Sequence, residues 1–286
     1  MKSERRNCDL SFSNLCSWRF LYDTKFAVID NFLVFKFWAG EQLAYMMPVG
    51  TGDLKAVLRE LIEDARQENQ PFCMLGVCSN MRAELEAILP GQFTFTEDRD
   101  YADYIYLRSD LSTLKGKKFQ AKRNHINRFR NTYPDYEYTP ITPDRIQECL
   151  DLEAEWCKVN NCDQQEGTGN ERRALIYALH NFEALGLTGG ILHVNGKIVA
   201  FTFGMPINHE TFGVHVEKAD TAIDGAYAMI NYEFANRIPE QYIYINREED
   251  LGIEGLRKAK LSYQPVTILE KYMACLKTHP MDMVKW

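Results

Sequence analysis

The clearest structural signal in the chain is the stretch Ile191-Leu-His-Val-Asn-Gly-Lys-Ile-Val-Ala-Phe-Thr-Phe-Gly-Met205. Its centre, Asn195-Gly196, suits a type I′ turn, because both central residues of that turn need a positive φ. Residues 191–194 and 198–205 are therefore predicted to be the two antiparallel strands of a β-hairpin.

Further elements are predicted on both sides of this hairpin. It is preceded by a strand (136–141), a helix opened by Pro143 and a helix over 171–185 that Gly186 ends. It is followed by a strand (211–217), a loop (218–224), a helix (225–237), a strand (242–245), a helix (251–261) and a strand (266–272). A meander that passes into a strand–helix–strand crossover predicts a mixed sheet with helices on both faces.

The first half of the chain repeats much of this order. The predicted elements are a hairpin (26–29 and 32–38), a strand (42–49), a glycine loop (50–52), a helix capped by Asp53 (to 67), a strand (72–77), a helix (79–89) and two closing strands (93–96 and 104–107). The repeat is one of element order alone. The sequence thus predicts an α/β protein with two tandem units, 1–110 and 111–286, the second opening with a basic helix over 113–131.

Composition and net charge limit the classes of function that the chain can have. The chain has 286 residues, a net charge of −7 and a pI of about 5.5. A dedicated nucleic-acid binder is usually basic, so any contact with RNA must come from a local patch. The eight cysteines include no pair with two-residue spacing, which predicts free thiols and no metal site. No tightly bound cofactor is expected.

From the sequence we expect neither a signal peptide nor a membrane span. The N-terminal residues 1–6 lead into no apolar segment, and the most apolar stretch, 26–38, is interrupted by Asp30, Asn31 and Lys36. A spanning helix needs about 20 apolar residues. We therefore expect a cytoplasmic protein with at most peripheral membrane contact.

A basic segment, residues 115–130, contains seven Lys or Arg and no acid. At helical spacing its apolar residues form one inward stripe, which also contains Lys122. One interpretation is an anion site that binds phosphate; the other is a solvated linker helix in which a core carboxylate satisfies Lys122. The candidate anion-binding residues are Lys117, Lys118, Lys122, Arg123, Asn124 and His125.

Two loops that lead into helices are further candidates. A helix N-terminus reached through a glycine turn points free N–H groups at one spot and favours anions. The first loop is 50–52, and the second, 218–226, supplies Lys218, Asp224, Gly225 and Ala226. Either loop is also explained as a simple tight turn.

A third candidate region, residues 246–260, crowds four acids and four bases around two glycines after a strand. Its candidate substrate-binding residues are Asn246, Arg247, Asp250, Arg257 and Lys260. The alternative is that Asp250 caps the helix while Arg257 and Lys260 complement its dipole. Nearby, Glu217 is the candidate general base and Tyr263 the candidate acid or orienting group. His215 shares a strand side with Glu217, but the sequence places no Ser or Cys nucleophile beside them.

Several of these segments resemble the C-terminal domain of phosphatidylglycerol lysyltransferases and, more closely, its stand-alone soluble relatives. They are the basic segment with its lead-in, residues 104–129, then Glu217-Lys-Ala-Asp-Thr with Asp224-Gly-Ala-Tyr, and Asn246-Arg-Glu-Glu-Asp-Leu-Gly-Ile-Glu-Gly through Tyr263. The resemblance implies a tandem fold of the N-acetyltransferase (GNAT) type. The membrane-bound relatives transfer an aminoacyl group from aminoacyl-tRNA to a lipid head group. By analogy, the basic helix would meet tRNA phosphates or a head group, and Glu217 with residues 247–260 would line the transfer site.

The expected function is therefore acyl or aminoacyl transfer to an amine or hydroxyl, with aminoacyl-tRNA or acyl-CoA as donor and co-substrate. The acyl-CoA loop of ordinary acetyltransferases is only half present, at Asp224-Gly225-Ala226. The alternative is a non-catalytic module that uses the scaffold to bind RNA or another anionic ligand. Expected partners are tRNA or a phosphate-bearing small molecule, and the sequence leaves the oligomeric state open.

Overall fold

The structure, a computed structural model, describes residues 5–160 and 166–277. Its α-helices in these ranges are α1 (Phe12–Ser17), α2 (Arg19–Tyr22), α3 (Leu54–Gln67), α4 (Ser79–Ile88), α5 (Arg108–Thr113), α6 (Gln120–Thr132), α7 (Ile146–Asn160), α8 (Glu166–His180), α9 (Ala226–Arg237) and α10 (Glu254–Leu261). Its β-strands there are β1 (Lys25–Ile29), β2 (Phe32–Ala39), β3 (Gln42–Tyr45), β4 (Val49–Gly50), β5 (Cys73–Cys78), β6 (Phe93–Glu97), β7 (Asp103–Leu107), β8 (Glu137–Pro140), β9 (Thr188–Val194), β10 (Lys197–Pro206), β11 (Thr211–Ala219), β12 (Tyr244–Asn246), β13 (Thr267–Leu269) and β14 (Lys271–Leu276).

The predicted hairpin is present as β9 and β10. Asn195 and Gly196 in its turn have φ values of 52° and 73°, as a type I′ turn requires. β11 pairs with the other side of β10, and β12 lies parallel to β11 after the crossover through α9. These strands belong to the second sheet, whose order is β13-β7-β12-β11-β10-β9-β8. The predicted meander and crossover are confirmed.

The first sheet follows the same plan. Its order is β1-β2-β3-β5-β14-β6, with β4 paired to β2. Here β3 and β5 are the parallel pair and α3 is the crossover helix. Both sheets therefore combine an antiparallel meander with one parallel pair, and the predicted class of mixed α/β fold with two mixed sheets is confirmed.

Two strands lie in a different sheet from the one predicted. β7 does not close the first sheet but lies between β12 and β13 in the second. The predicted strand over 266–272 is two strands: β13 in the second sheet, and β14, which pairs with β5 and β6 in the first. Residues 103–106 of β7 are all buried, so the strand needs neighbours on both sides. A buried pattern does not say which sheet supplies them.

Packing divides the chain into two compact units. The second-sheet unit comprises the described parts of Met1–Ser17, Tyr104–Glu248 and Ile253–Ile268. The first-sheet unit comprises those of Trp18–Asp103, Glu249–Gly252 and Leu269–Trp286. This division by contacts is not a single cut of the chain, whereas the sequence predicted one boundary between residues 110 and 111.

Two helices begin later than predicted because left-handed residues precede them. Leu251 and Gly252 have φ values of 52° and 73°, and α10 starts only at Glu254. Leu114 and Gly116 have φ values of 48° and 95°, so the basic helix predicted over 113–131 becomes a 3₁₀ turn followed by α6. Residues with a positive φ of this size cannot continue a right-handed α-helix.

The prediction of free cysteines is wrong for part of the set. Cys73 of β5 and Cys275 of β14 form a disulfide, and they face each other across the antiparallel pair. Cys157 is also disulfide-bonded. Cys8, Cys16, Cys78 and Cys149 are not disulfide-bonded within the described ranges, and Cys162 lies outside those ranges.

The most apolar stretch of the chain, residues 26–38, forms the antiparallel pair β1–β2. In β2 the buried residues include Phe32, Val34 and Phe37, which face the core. The stretch is thus two short strands with a turn at Asp30 and Asn31. Within the ranges that the structure describes, no helix is long and apolar enough to cross a membrane.

Candidate functional site

The basic helix α6 anchors one side of the site. Phe119, Ile126 and Phe129 are buried in the core beside the second sheet, which confirms the predicted inward stripe. Lys122 lies within that stripe and is partly buried. Its ammonium therefore points toward the protein and not into bulk water.

The centre of the site is an ion pair between neighbouring strands. Arg247 Nη2 donates to Glu217 Oε1 at 2.9 Å, and the two side chains are only 10% and 13% exposed. Asn231 of α9 donates its Nδ2 to Glu217 Oε2 at 3.2 Å. Glu217 lies on β11 and Arg247 follows β12, so both come from the carboxyl ends of a parallel pair, where open α/β sheets bind ligands.

Two tyrosine rings enclose the Arg247 guanidinium. Its Cζ lies 4.9 Å from the ring centre of Tyr263 and 5.7 Å from that of Tyr106. Burial raises the pKa of both phenols, and the Glu217 charge raises it further, although Arg247 opposes the shift. Both hydroxyls are therefore protonated at physiological pH and can act as hydrogen-bond donors.

Lys122 completes the site from α6. Its Nζ lies 3.9 Å from the ring centre of Tyr263, a cation–π contact. Within the described ranges, no carboxylate lies within ion-pair distance of this ammonium. Burial lowers the pKa of Lys122 to about 8, and the nearby Arg247 charge lowers it as well, while Glu217 acts in the opposite direction. We call Lys122, Glu217, Asn231, Arg247 and Tyr263 the Glu217 cluster.

The Glu217 cluster contains unused hydrogen-bonding capacity. Arg247 Nη1 and Asn231 Oδ1 are buried and have no hydrogen-bond partner within the described ranges. Leaving such atoms unpaired costs about 1–3 kcal/mol each, so a native structure that does so needs a reason. When Lys122 is protonated, the cluster also has two positive charges to one negative. It is thus suited to a ligand that brings both an electron-rich oxygen and a donor.

Asn231 and Tyr106 were not predicted from the sequence. Tyr106 lies in the segment that leads into the basic helix, but it was not a candidate site residue, and Asn231 belongs to no motif. The signal that could have found Asn231 is its place on the buried side of α9, among Met229, Ile230 and Phe234. A polar side chain at such a position needs a partner.

Lys218, the next residue of β11, does not belong to the Glu217 cluster. Its Nζ pairs with Glu171 Oε1 at 2.9 Å and lies 3.5 Å from the ring centre of Trp156. Trp156 donates its indole N–H to the Tyr227 hydroxyl at 3.1 Å. The buried Lys218 charge is therefore already neutralised by a carboxylate and an aromatic face.

The loop 218–226 packs against the basic helix. Asp224 accepts from Arg128 at 2.7 Å, and the His125 ring lies 3.9 Å from the same carboxylate. Gly225 precedes Ala226, the first residue of α9, with a φ of 85°, and a Cβ on it would come within 3.0 Å of the His125 carbonyl oxygen. A glycine is required here by both the conformation and the close approach of α6.

Most other residues predicted on the basic segment have contacts of their own. Lys118 pairs with Asp110 at 2.8 Å. Arg123 donates to the carbonyls of Leu114 and Gly116 and so closes the turn before α6. Asn124 accepts from Gln120 at 2.9 Å, and Lys117 is exposed.

The candidate residues predicted on 246–260 do not form one site, because they have different contacts. Asn246 is fully buried, accepts from the Glu248 N–H and donates to the Arg6 carbonyl. Lys260 donates to the Arg247 carbonyl at 2.5 Å, and Arg257 is partly buried on α10.

Asp250 belongs to the first-sheet unit, where it accepts from the Gly252 N–H and pairs with Arg99. The other predicted glycine loop lies in the same unit. Its Gly50 is part of β4 and pairs with Phe32 of β2. Both features are therefore used locally, to shape a turn and to extend the sheet.

Sequence comparison places this chain in a known family. The family model for the C-terminal region of phosphatidylglycerol lysyltransferase matches residues 1–275. The chain belongs to this family. Family and fold together indicate an acyltransferase-like scaffold.

Three proteins are similar to this chain over different parts of its length. The crystal structure of a conserved Bacteroides thetaiotaomicron protein of unknown function is 94% identical, with a TM-score of 0.95, over 97% of this chain and 94% of that one. The C-terminal domain of a putative lysylphosphatidylglycerol synthetase from Agrobacterium fabrum shares the fold, with a TM-score of 0.71 and 13% identity over 96% of this chain and 88% of that one. An uncharacterized Mycoplasmoides gallisepticum protein is 25% identical over 177 residues, which is 60% of this chain. The match spans about half, 55%, of that relative's length.

Proposed function

We propose that the chain is an aminoacyl transferase, which moves an aminoacyl group from aminoacyl-tRNA to an amine or hydroxyl acceptor at the Glu217 cluster. The observation that carries the proposal is the pair of unpartnered buried atoms, Arg247 Nη1 and Asn231 Oδ1. An aminoacyl ester offers a carbonyl oxygen to the first and an ammonium N–H to the second. An acetyl group has no ammonium and would leave Asn231 Oδ1 unpaired, so the cluster favours an aminoacyl donor over acetyl-CoA.

The proposed reaction is attack of the acceptor on the ester carbonyl carbon. Glu217 takes the acceptor's proton, directly or through water, and Arg247 pairs with that carboxylate and positions it. As the new bond forms, the carbonyl oxygen becomes an oxyanion that Arg247 Nη1 and Lys122 stabilise. The bond to the tRNA ribose oxygen then breaks, and that oxygen takes a proton from the neutral Tyr263 hydroxyl, the phenol of the cluster. The proton that Glu217 took from the acceptor then returns to Tyr263, directly or through water.

The basic segment supplies the contact with tRNA in this proposal. Phosphate contacts need exposed cations, and Lys117 is one. The family's name gives phosphatidylglycerol as the acceptor and lysine as the transferred group of its namesake. For this chain we propose the same chemistry, with a hydroxyl-bearing anionic head group at a membrane surface as the first acceptor to test.

The test is transfer of radiolabelled amino acids from a mixed aminoacyl-tRNA pool to vesicles that contain phosphatidylglycerol. We expect Glu217→Gln to slow transfer by about 10²-fold or more, because general-base catalysis contributes that much. The matched control is Asp64→Asn, a carboxylate that is ion-paired in the first-sheet unit. It should leave the rate unchanged.

Other outcomes favour the alternatives. If no aminoacyl-tRNA is consumed while acetyl-CoA raises the melting temperature of the protein, the donor is an acyl-CoA. If RNA binds but Glu217→Gln alters no reaction, the chain is a binding module, and the aminoacyl transferase proposal is wrong.

A further inference from the structure

A second group of reactive side chains lies outside the Glu217 cluster. The Ser11 hydroxyl lies 2.9 Å from His215 Nε2, and His215 Nδ1 lies 2.7 Å from Glu248 Oε1. All three residues belong to the second-sheet unit. A hydroxyl, an imidazole and a carboxylate in this order are the components of a nucleophilic triad. The sequence suggested no such nucleophile, because Ser11 is 204 residues from His215 along the chain.

Local features of the backbone direct these side chains. The register between β10 and β11 shifts so that Phe203 faces Val216 while Gly204 faces Val214, which leaves His215 as the extra residue of a β-bulge. Bulges re-aim side chains and are common beside active sites. The strand therefore turns His215 toward the N-terminal segment, while Glu217, two residues on, takes part in the other cluster.

The Glu248 carboxylate is fixed by the backbone conformation of this residue and by two hydrogen bonds. Glu248 has a φ of 58°, a left-handed conformation that is uncommon for a residue with a side chain. Its N–H donates to Asn246 Oδ1 at 2.7 Å, which fixes that backbone. Asn14 of α1 donates to Glu248 Oε1 at 2.8 Å, on the same oxygen that His215 contacts. Strained residues over-determined by their surroundings concentrate at functional sites.

The hydrogen bonds also assign the protons. A carboxylate only accepts, so the neutral imidazole carries its proton on Nδ1, toward Glu248. Nε2 then presents a lone pair to the Ser11 hydroxyl, which donates to it. This is the tautomer in which a histidine can remove a serine proton.

We propose that Ser11, His215 and Glu248 form a second reactive site, in which Ser11 accepts a short acyl group from an activated ester. Ser11 Oγ bonds to the ester carbonyl carbon as its proton passes to His215 Nε2. The carbon–oxygen bond to the leaving alcohol then breaks, and the imidazolium returns its proton to that alcohol. Water releases the acid from Ser11 by the same two steps.

Burial defines the substrate class. Ser11 is only 1% exposed and the His215 side chain only 4%. A long acyl chain or a macromolecular ester does not fit such a position without displacing the segment around Ser11. The site is therefore assigned to acetyl-sized groups, and its chemistry is separate from aminoacyl transfer at the Glu217 cluster.

The experiment is covalent labelling of the intact, folded protein. The probes are p-nitrophenyl acetate and methanesulfonyl fluoride, which both transfer a group of about acetyl size, and peptide mass spectrometry locates each adduct. We expect an adduct on Ser11 that forms about 10²-fold more slowly in His215→Gln, because glutamine keeps a hydrogen bond but cannot act as the base. Ser13, a buried serine on the same segment, should stay unlabelled.

The proposal is overturned if Ser11 stays unmodified while the protein remains folded, or if His215→Gln is labelled as fast as the unaltered chain. Either result would mean that these contacts only dock the N-terminal segment. Should His215→Gln unfold, Glu248→Gln replaces it, with the same slower labelling expected. Labelling of the unaltered protein needs no variant, so it tests the site in every case.

Discussion

The crossover of each sheet carries a charged cluster, and the two clusters differ in how completely they are paired. In the first-sheet unit, Lys36 Nζ lies 2.8 Å from both Asp64 and Glu68, and the Tyr45 hydroxyl donates to Asp64 at 2.5 Å. Each charged group of this set thus has an oppositely charged partner, although the set keeps one net negative charge. We call these four residues the closed cluster.

The Glu217 cluster is open by comparison. It holds two bases and one acid, Lys122 lacks an ion pair within the described ranges, and both Arg247 Nη1 and Asn231 Oδ1 lack partners there. A satisfied polar network rigidifies a fold, whereas a partly satisfied one costs stability. The comparison indicates that the charges of the closed cluster stabilise the fold, whereas those of the Glu217 cluster are suited to binding a ligand.

The largest expected effect comes from removing the base of each cluster. Arg247→Met leaves the nearly buried Glu217 carboxylate uncompensated, which should lower the free energy of unfolding by about 3 kcal/mol. Lys36→Met should cost about 1 kcal/mol or less, because Asp64 and Glu68 are 42% and 46% exposed and water can solvate them. Urea unfolding of both variants measures this difference. Equal losses would contradict the distinction between the clusters.

The second prediction concerns ligand binding. A non-reactive amide analogue of an aminoacyl ester should stabilise the protein by about 2.7 kcal/mol at 100 times its Kd, as measured by thermal unfolding. Asn231→Ala should abolish most of this stabilisation, because it removes the acceptor for the ligand's ammonium. Tyr45→Phe in the closed cluster should leave it intact. Stabilisation that survives Asn231→Ala would place the ligand elsewhere.

The fold could be predicted from the sequence as far as local signals reached. Asn195-Gly196 specifies a turn by itself, and alternation specifies the strands beside it. The sequence did not show that β7 belongs to the second sheet and β14 to the first, because the partners of these strands are set by long-range packing. The disulfide between Cys73 and Cys275 was missed for the same reason, because it depends on where β14 lies.

The site was predictable to a similar extent. Glu217, Arg247 and Tyr263 lie on segments that the family resemblance singled out, and the structure brings them together. Asn231 was missed because a single polar residue on a buried helix face has no motif. Ser11 was missed because a triad is defined by geometry, and these three residues are far apart in sequence.

The third prediction uses the opposite pKa shifts of the two lysines. Lys122 has a folded-state pKa of about 8, below the ordinary value of about 10.4, so between these pH values the unfolded chain binds the extra proton and stability rises with pH. For Lys36, burial lowers the pKa, but hydrogen bonds to Asp64 and Glu68 raise it above the ordinary value overall. Its stabilising contribution is therefore present below about pH 10.4 and is lost as the pH rises through the folded-state pKa.

The measurement is the free energy of unfolding between pH 7 and 10 for each methionine variant against the unaltered chain. Lys122→Met should remove a rise of roughly 1 kcal/mol, once solvent screening of this partly exposed side chain is allowed for. Lys36→Met should not remove such a rise. If both variants changed the pH profile in the same direction, the two ammonium groups would not be in contrasting environments.

The smallest expected effect is on the affinity for tRNA, and it extends the comparison to the surface of the two units. Lys117 is an exposed cation on the basic segment, and Lys25, 64% exposed, is one in the first-sheet unit. Each phosphate contact contributes up to about 0.9 to the slope of log affinity against log salt. Lys117→Glu should reduce the slope by about that amount, and Lys25→Glu should leave it unchanged, as filter binding at several salt concentrations can show. Equal slopes for the two variants would mean that tRNA does not approach the basic segment. The acyl donor at the Glu217 cluster would then have to be a molecule other than aminoacyl-tRNA.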